Sequence, residues 1–299
     1  MHWIISTSVL ENKANIMKKI ISIVILFFCL VLFVRSDSTK SLGSDMTGLG
    51  DVDLSKHNFR YVENNAYGFG EKLEYKVGFE FITAGKGYFH IMPKPVYKFG
   101  RPCYDVRFKV QSLASLEWVY KVRDEYRTIL DAGGIFPWQF EQKIREGNYK
   151  RDSRAQFDQV NNFACRMHYD TVKKVKVPEY VHDIVSAFFY VRTMDIKNMK
   201  KNEITTLKNF VDDSTYTLGV KYLGKQTIEV EAGKFRCRVI EPLVQEGGLF
   251  KHDGRIIIWL TDDERKIPVK VATRIIIGEV YSELVKYSGT RGKVEAKVD

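Results

Sequence analysis

Alternation of apolar and polar residues is the feature that most constrains how this chain can fold. From Lys72 to Phe81 every second residue is apolar, and each residue between them is charged or glycine. A two-residue period puts one set of side chains on a buried face and the other on a wet face, which is typical of a strand in an antiparallel sheet. The run 104–110 repeats the pattern. Further strands are predicted over 88–92, 119–130, 139–144, 155–160, 163–169, 216–222, 227–230, 235–241, 255–260, 269–277 and 280–287, with turns rich in Gly, Asn and Asp between them.

One segment departs from this rhythm. Residues 183–194 follow a period of 3.6, with Ile184, Phe188 and Val191 on one side and Asp183 at the N-cap position. Because a long antiparallel sheet must coil or close to limit its exposed edges, we expect the helix to lie on or within a curved sheet. The sequence therefore predicts a mainly β fold: a single curved antiparallel sheet that forms an open or half-closed barrel, with one amphipathic helix over about residues 183–194.

The amino terminus has the pattern of a secretory leader. Two lysines follow Met17, and residues 20–34 then run for fifteen positions without a charge. This apolar stretch is shorter than the 18 or so residues that a membrane span needs, so we predict a signal peptide cleaved near Ser36 and a protein exported to the periplasm or cell envelope. Residues 1–16 are interpreted as an upstream extension, which leaves Met1 or Met17 as the start, and an uncleaved anchor is the alternative.

Composition sets the remaining boundaries. Residues 37–65 are rich in Ser, Gly, Asp, Lys and Asn and are predicted to be a flexible linker. The polar residues 289–299 are predicted to be a tail, so the folded β domain is expected to span 66–288. Lys and Arg exceed Asp and Glu by 47 to 37 over the whole chain. No basic block is interleaved with aromatic residues, and a nucleic-acid partner is therefore not expected.

Residues that could bind a metal or attack a substrate are scattered. The histidines lack a second ligand at a suitable spacing, and the sequence has no phosphate-binding loop, nucleophile elbow or dinucleotide fingerprint. No metal site and no cofactor are therefore expected. Cys165 and Cys237 fall on apolar faces of predicted strands, where a disulfide is possible but two small core residues are the favoured interpretation. Cys103 is predicted to face outward.

Two charged features are candidates for catalytic or structural sites. Asp262 and Asp263 follow a very apolar strand and could act as an acid–base pair, although aspartates at such a position are typical of a turn. Arg192 lies at the edge of the apolar stripe of the predicted helix, where a guanidinium snorkels or pairs with a buried acid. We predict a structural ion pair between Arg192 and Asp262 or Asp263.

Two other strands are apolar on both faces. In 256–260 and 275–277 neighbouring residues are apolar, so something must cover each side of the sheet. The predicted helix is one cover, and an apolar ligand or a partner is another. The residues that would bind such a ligand or partner are Trp259, Ile257, Phe188 and Arg192.

Four segments of the sequence resemble a known family. They are 70–75 (GEKLEY), 183–192 (DIVSAFFYVR), 232–237 (AGKFRC) and 259–269 (WLTDDERKIPV). In their order and spacing they are similar to the DUF3108 family of exported bacterial proteins, over roughly residues 66–288. The resemblance implies a signal peptide, a mostly antiparallel β fold and a location in the cell envelope. It implies no reaction and no catalytic residues.

These observations lead to one functional hypothesis and two alternatives. We expect a non-catalytic periplasmic or cell-envelope protein that binds a lipid-like or other apolar or amphipathic ligand, or an envelope protein partner, on the concave face of the sheet. One alternative is a hydrolase-like enzyme that uses Asp262 and Asp263 with Arg192. The other is a purely structural envelope factor, in which the helix fills the concave face.

Overall fold

The structure is a computed structural model. It describes Leu54 and residues 57–168, 171–246, 249–251, 255–275 and 278–298. The predicted signal peptide, the cleavage position and most of the predicted linker lie outside the described residues, as do Ile276 and Ile277 of the second doubly apolar run.

Seventeen strands in the described residues form one sheet, and a single α-helix accompanies them. The helix, α1, spans Ile184–Thr193, and single 3₁₀ turns span Ala114–Leu116 and Ile196–Asn198. The strands are β1 (Lys72–Phe79), β2 (Ile82–Ile91), β3 (Val96–Lys98), β4 (Arg101–Ser112), β5 (Arg123–Asp131), β6 (Pro137–Glu146), β7 (Tyr149–Asp158), β8 (Phe163–His168), β9 (Thr171–Lys176), β10 (Ile204–Val211), β11 (Ser214–Val230), β12 (Gly233–Glu246), β13 (Leu249–Lys251), β14 (Ile256–Thr261), β15 (Pro268–Ile275), β16 (Gly278–Ser288) and β17 (Lys297–Val298).

Every ladder between these strands is antiparallel, and the sheet stays open. The backbone pairs give the order β10-β11-β12-β14-β15-β16-β1-β2-β4-β5-β6-β7-β8-β9. β3 adds to β4, and β13 and β17 add to β12. β9 and β10, at the two ends of this order, share no ladder among the described residues. We call the gap between β7–β9 on one side and β10–β11 on the other the seam.

The segment before α1 enters this gap along the free edge of β10. The His182 amide donates to the Lys208 carbonyl at 2.9 Å, and the Phe210 amide donates to the His182 carbonyl at 2.7 Å. Asp183 then begins the helix, because its Oδ1 accepts hydrogen bonds from the amides of Val185 and Ser186 at 2.8 and 2.9 Å. The helix thus starts beside the seam and continues into the concave side of the sheet.

The helix packs against two buried clusters on that concave side. Ala187 and Val191 belong to one buried cluster with Ile258 and Leu260, while Phe189 belongs to a second cluster on β1, β2 and β4. Because strands surround the helix, its burial is not limited to one stripe. Val185 and Phe189 are more deeply buried than the predicted contact residues Ile184 and Phe188. The fold class is confirmed: a mainly β protein with one open antiparallel sheet and one helix within one residue of its predicted bounds at each end.

Both terminal boundaries of the predicted domain need correction. Within the predicted linker, Phe59 stacks on Phe136 with ring centroids 5.5 Å apart, and Arg60 Nε donates to the Gly134 carbonyl at 2.8 Å. Within the predicted tail, Val294 is buried and β17 pairs with β12. The prediction of a flexible linker and a polar tail is therefore wrong for residues 57–65 and 294–298. These segments contain polar side chains that bond to the backbone of the domain and apolar side chains that are buried against it.

The three cysteines among the described residues are buried thiols. No disulfide joins Cys165 to Cys237, and each is at most 2% exposed. Cys103 does not face outward as predicted, since it is 0% exposed and packs with Ile129 and Trp138. The outer face of β4 is covered at this point, and alternation alone does not report such a cover.

Candidate functional site

The four residues predicted to bind a ligand or a partner do not meet. Ile258 and Leu260 of β14 face α1, so Ile257 and Trp259 lie on the opposite face of the strand, where both are half-buried. The Trp259 indole donates to Gln226 Oε1 at 2.8 Å. Phe188 lies on the concave side, with its ring stacked on Phe89 at a centroid distance of 5.3 Å. The sheet itself therefore separates Trp259 and Ile257 from Phe188 and Arg192.

Arg192 is fully buried and pairs with Glu71. Its Nη1 and Nη2 donate to the two carboxylate oxygens of Glu71 at 2.6 and 3.0 Å. Nη2 also donates to the carbonyls of Arg265 at 3.1 Å and Ala66 at 3.4 Å. The expectation of a buried ion pair holds, but the predicted partner, Asp262 or Asp263, is wrong. Glu71 stands one residue before the alternating run of β1, so the strand pattern gave no reason to place it inside.

Asp263 and Asp262 have separate structural roles. Asp263 Oδ1 accepts from Thr261 Oγ1 at 2.8 Å and from the Arg265 amide at 2.9 Å, as expected of a turn residue. Asp262 forms ion pairs with Arg238 and, at 2.8 Å, with Lys225. Partial burial alone would raise the pKa of Asp262, but these two cations hold it below its ordinary value. A carboxylate held ionised in this way is unsuited to general acid catalysis.

A serine and a histidine lie close together where α1 begins. His182 Nδ1 is 3.2 Å from Ser186 Oγ, and both residues are at most 1% exposed. Ser186 Oγ also donates to the Asp183 carbonyl at 3.1 Å, while Asp183 Oδ2 accepts from Thr128 Oγ1 at 2.6 Å. Burial, together with the nearby charge of Arg60, keeps the pKa of His182 well below its usual value. These groups complete the N-cap of the helix, and no substrate can reach the serine.

A charged cluster that the sequence analysis missed spans the seam. Arg166 Nη1 lies 3.1 Å from Asp213 Oδ2 and 3.5 Å from Asp212 Oδ1, and Lys173 Nζ lies 3.4 Å from Asp213 Oδ2. Arg151 also pairs with Asp212. The cations come from β7, β8 and β9, whereas both aspartates form the tight turn between β10 and β11, where each has a positive φ. Side-chain ion pairs thus join the two sides of the seam, where backbone ladders stop.

A cavity of about 30 Å³ lies beside this cluster, beneath the first residue of α1. That volume is about what one water molecule needs. Gln142 reaches the cavity from β6 and is 2% exposed, and its Nε2 has no hydrogen-bond partner. The lining combines apolar walls with a few polar groups: Tyr126, Phe140, Ala155, Ile184, Phe210 and Val211 on one hand, and Gln142, Ser153, Arg166 and Asp212 on the other.

Two carboxyl groups, those of Asp124 and Glu146, form a pair where β5 begins and β6 ends. Burial, opposed in part by the Arg145 amide and the hydrogen bond to Glu146, raises the pKa of Asp124 to about 6. Burial and the neighbouring charge of Asp124 raise the pKa of Glu146 to about 8. The two groups therefore share a proton near neutral pH. In the described part of the chain no three His, Cys, Asp or Glu residues are grouped to hold a metal ion.

Comparison with known proteins identifies the family. The sequence model of DUF3108, described as a protein of unknown function, matches residues 74–285, which include the whole span from β2 to β15. The chain belongs to the DUF3108 family. No curated protein matches it. No helix in the described part of this DUF3108 protein is long and apolar enough to cross a membrane.

Solved structures that this DUF3108 protein matches differ widely from it in sequence. A β-barrel-like protein of domain of unknown function DUF1849 from Brucella abortus is 11% identical, with a TM-score of 0.49 over 77% of this chain and 98% of the other. A proposed lipoprotein from Parabacteroides distasonis is 9% identical, with a TM-score of 0.31 over 78% and 100%. A proposed exported protein with a YmcC-like fold from Bacteroides fragilis is 10% identical, with a TM-score of 0.29 over 77% and 99%.

Proposed function

We propose that this DUF3108 protein is an exported, non-catalytic protein of the cell envelope that binds an amphipathic molecule in the seam cavity. The observation that carries the proposal is the combination of aromatic and aliphatic walls with one buried, unpartnered amide group, Gln142 Nε2. The leader pattern of residues 17–36 supports export.

An unpartnered buried donor favours binding at this place. A buried amide that lacks a partner costs about 1–3 kcal/mol, and a ligand oxygen that accepts its hydrogen bond removes that cost. Phe140 and Phe210 would cover the apolar part of the same molecule. Small-molecule sites generally have this composition, with mostly apolar walls and few polar groups that fix the orientation.

The seam can widen more easily than a closed sheet. The cavity has room for about one water molecule, so a ligand with an alkyl chain must separate the two sides of the seam. Arg166 and Lys173 hold Asp213 across it through side chains alone. The edge-to-face contact between Phe157 and Phe210, with ring centroids 5.7 Å apart, also joins the two sides through side chains, so opening the seam breaks no backbone ladder between the described strands.

The proposal is tested by native mass spectrometry of protein purified gently from envelopes and of protein incubated with decanol and with decanoate. The variant Gln142→Met keeps the side-chain volume but removes the amide, and we expect it to lose ligand without unfolding. Gln139→Met is the matched control, since Gln139 lies on the other face of β6 and bonds to Glu141 and Lys98. A wild type that takes up neither amphiphile, or equal uptake by both variants, would contradict the proposal.

A protein partner in the envelope is the second candidate function. Phe81 is 98% exposed at the turn between β1 and β2, and Trp118 is 81% exposed in the loop after β4. These neighbouring connections lie at the same end of the sheet, since Leu113 at the start of the Trp118 loop bonds to Ala84. Chemical cross-linking of the wild type to a single envelope protein, with the cross-link lost in Trp118→Ala, would favour this candidate.

A further inference from the structure

We infer that the seam cavity selects amphiphiles whose head group is an anion, such as a carboxylate or a phosphate, and binds that head group with Arg166 and Gln142. The inference rests on the proposed function and adds to it the class of ligand.

The first argument is the balance of hydrogen-bonding groups around the cavity. Gln142 Nε2 is an N–H donor without a partner, and Ser153 supplies a hydroxyl nearby. Arg166 contributes a guanidinium, which has donors and no acceptor. An anionic head group offers several acceptor oxygens to this set, whereas an ammonium head group offers none.

The second argument is that each carboxylate partner of Arg166 also pairs with another cation. Arg166 Nη1 is 3.5 Å from Asp212 Oδ1, a longer separation than a hydrogen bond between charged groups, and 3.1 Å from Asp213 Oδ2. Asp212 has a second and closer partner in Arg151, so it stays neutralised if Arg166 turns to a ligand. Asp213 likewise keeps Lys173.

The third argument is charge. Three cations, Arg151, Arg166 and Lys173, face two carboxylates across the seam, which leaves one positive charge in excess. Asp213 Oδ1 lacks a hydrogen-bond partner, but Asp213 does not line the cavity. The remaining nearby acids, Asp124 and Glu146, pair with each other and do not line it either. An incoming anion therefore meets a cluster with one positive charge in excess, and the single lining carboxylate, Asp212, stays in its ion pair with Arg151.

The experiment compares three ligands with the same ten-carbon chain: decanoate, decanol and decyltrimethylammonium. Isothermal titration calorimetry is carried out on the processed protein from which endogenous lipid has been removed. We expect decanoate to bind about tenfold more tightly than decanol, because a hydrogen bond to a charged group is stronger than one between neutral groups. Decyltrimethylammonium is expected not to bind.

Two variants and a control assign the selectivity to Arg166. We expect Arg166→Gln to weaken decanoate binding about tenfold while leaving decanol binding unchanged, and Arg166→Lys to keep most of the preference for the anion. Arg154→Gln is the control, because Arg154 lies on β7 beside β8 and pairs at 3.0 Å with Glu141 on the outer face. Circular dichroism confirms that each variant is folded.

The outcomes separate this inference from the proposed function. Equal affinity for decanoate and decanol, unchanged in Arg166→Gln, would overturn the anion selectivity and leave amphiphile binding intact. Binding of decyltrimethylammonium as tight as that of decanoate would overturn it as well. No binding of any of the three ligands would overturn both.

Discussion

The buried pair of Glu71 and Arg192 should be the most sensitive electrostatic contact of the fold. The two side chains are 1% and 0% exposed and are joined by hydrogen bonds of 2.6 and 3.0 Å. In Glu71→Gln the guanidinium stays buried without a counter-charge, and water cannot reach it to compensate. Removing one partner of such a pair costs about 3–5 kcal/mol. That is a large fraction of the 5–15 kcal/mol that stabilises a typical domain.

Arg192→Met should be at least as destabilising. It leaves the Glu71 carboxylate buried, and it removes the donor that serves the carbonyls of Ala66 and Arg265. The double variant, in which both residues are Met, carries no unpaired charge. We therefore expect it to be more stable than the sum of the single changes implies, by about 2 kcal/mol or more.

Urea denaturation at pH 7, followed by tryptophan fluorescence, measures these differences. The control is Glu125→Gln, which removes one partner of an exposed pair with Lys109 at 2.7 Å, where both side chains are about half exposed. We expect the control to change the free energy of unfolding by less than about 1 kcal/mol. If Glu71→Gln changes it no more than the control does, or if the single changes simply add, the reasoning is refuted.

Three further predictions concern other parts of the chain. Because Val106 is 0% exposed, Val106→Asp should lower the free energy of unfolding, measured by urea denaturation, by at least about 3 kcal/mol. Arg107→Ser, on the outer face, should lower it by less than about 1 kcal/mol. Equal effects would contradict the face assignment. The pKa values of Asp124 and Glu146 are raised to about 6 and about 8, so the protonated pair stabilises the fold fully below the unfolded pKa values near 4, and this stability is lost as the pH rises through 6 to 8. Glu146→Gln should therefore lessen the fall in melting temperature between pH 5 and pH 8.5. An unchanged fall would exclude the shared proton. Amino-terminal sequencing of the envelope protein should begin near Asp37, and a chain that still carries the apolar leader would indicate an anchor.

Local signals in the sequence determined the parts of the fold that could be predicted. Alternation located most of the strands, since a strand's two faces are read from its own residues, but it missed β9 and β10, which flank the seam. The helix was placed within one residue because Asp183 caps it through the next amides in the chain. Neither signal depends on which segments meet in space.

The seam could not be predicted, because its groups come together only through the curvature of the sheet. Arg151 and Asp212 are 61 positions apart in the chain, and neither stands in a recognisable motif. Alternation does not encode which strand ends approach each other. Glu71 was missed as the partner of Arg192 for the same reason, since 121 positions separate them. Alternation in β8 places Arg166 on the face opposite the apolar one of Phe163 and Cys165, so the sequence offered no local clue to its inward position.

The measurement that tests the central claim most directly is a crystal structure of the processed protein grown with decanoate. The account predicts electron density in the seam cavity, with the carboxylate within hydrogen-bond distance of Gln142 Nε2 and Arg166 and the alkyl chain along Phe140 and Phe210. It also predicts a seam wider than in the structure described above. Decanoate bound elsewhere, for example on the outer face beside Trp259, with the seam cavity unchanged, would contradict the account.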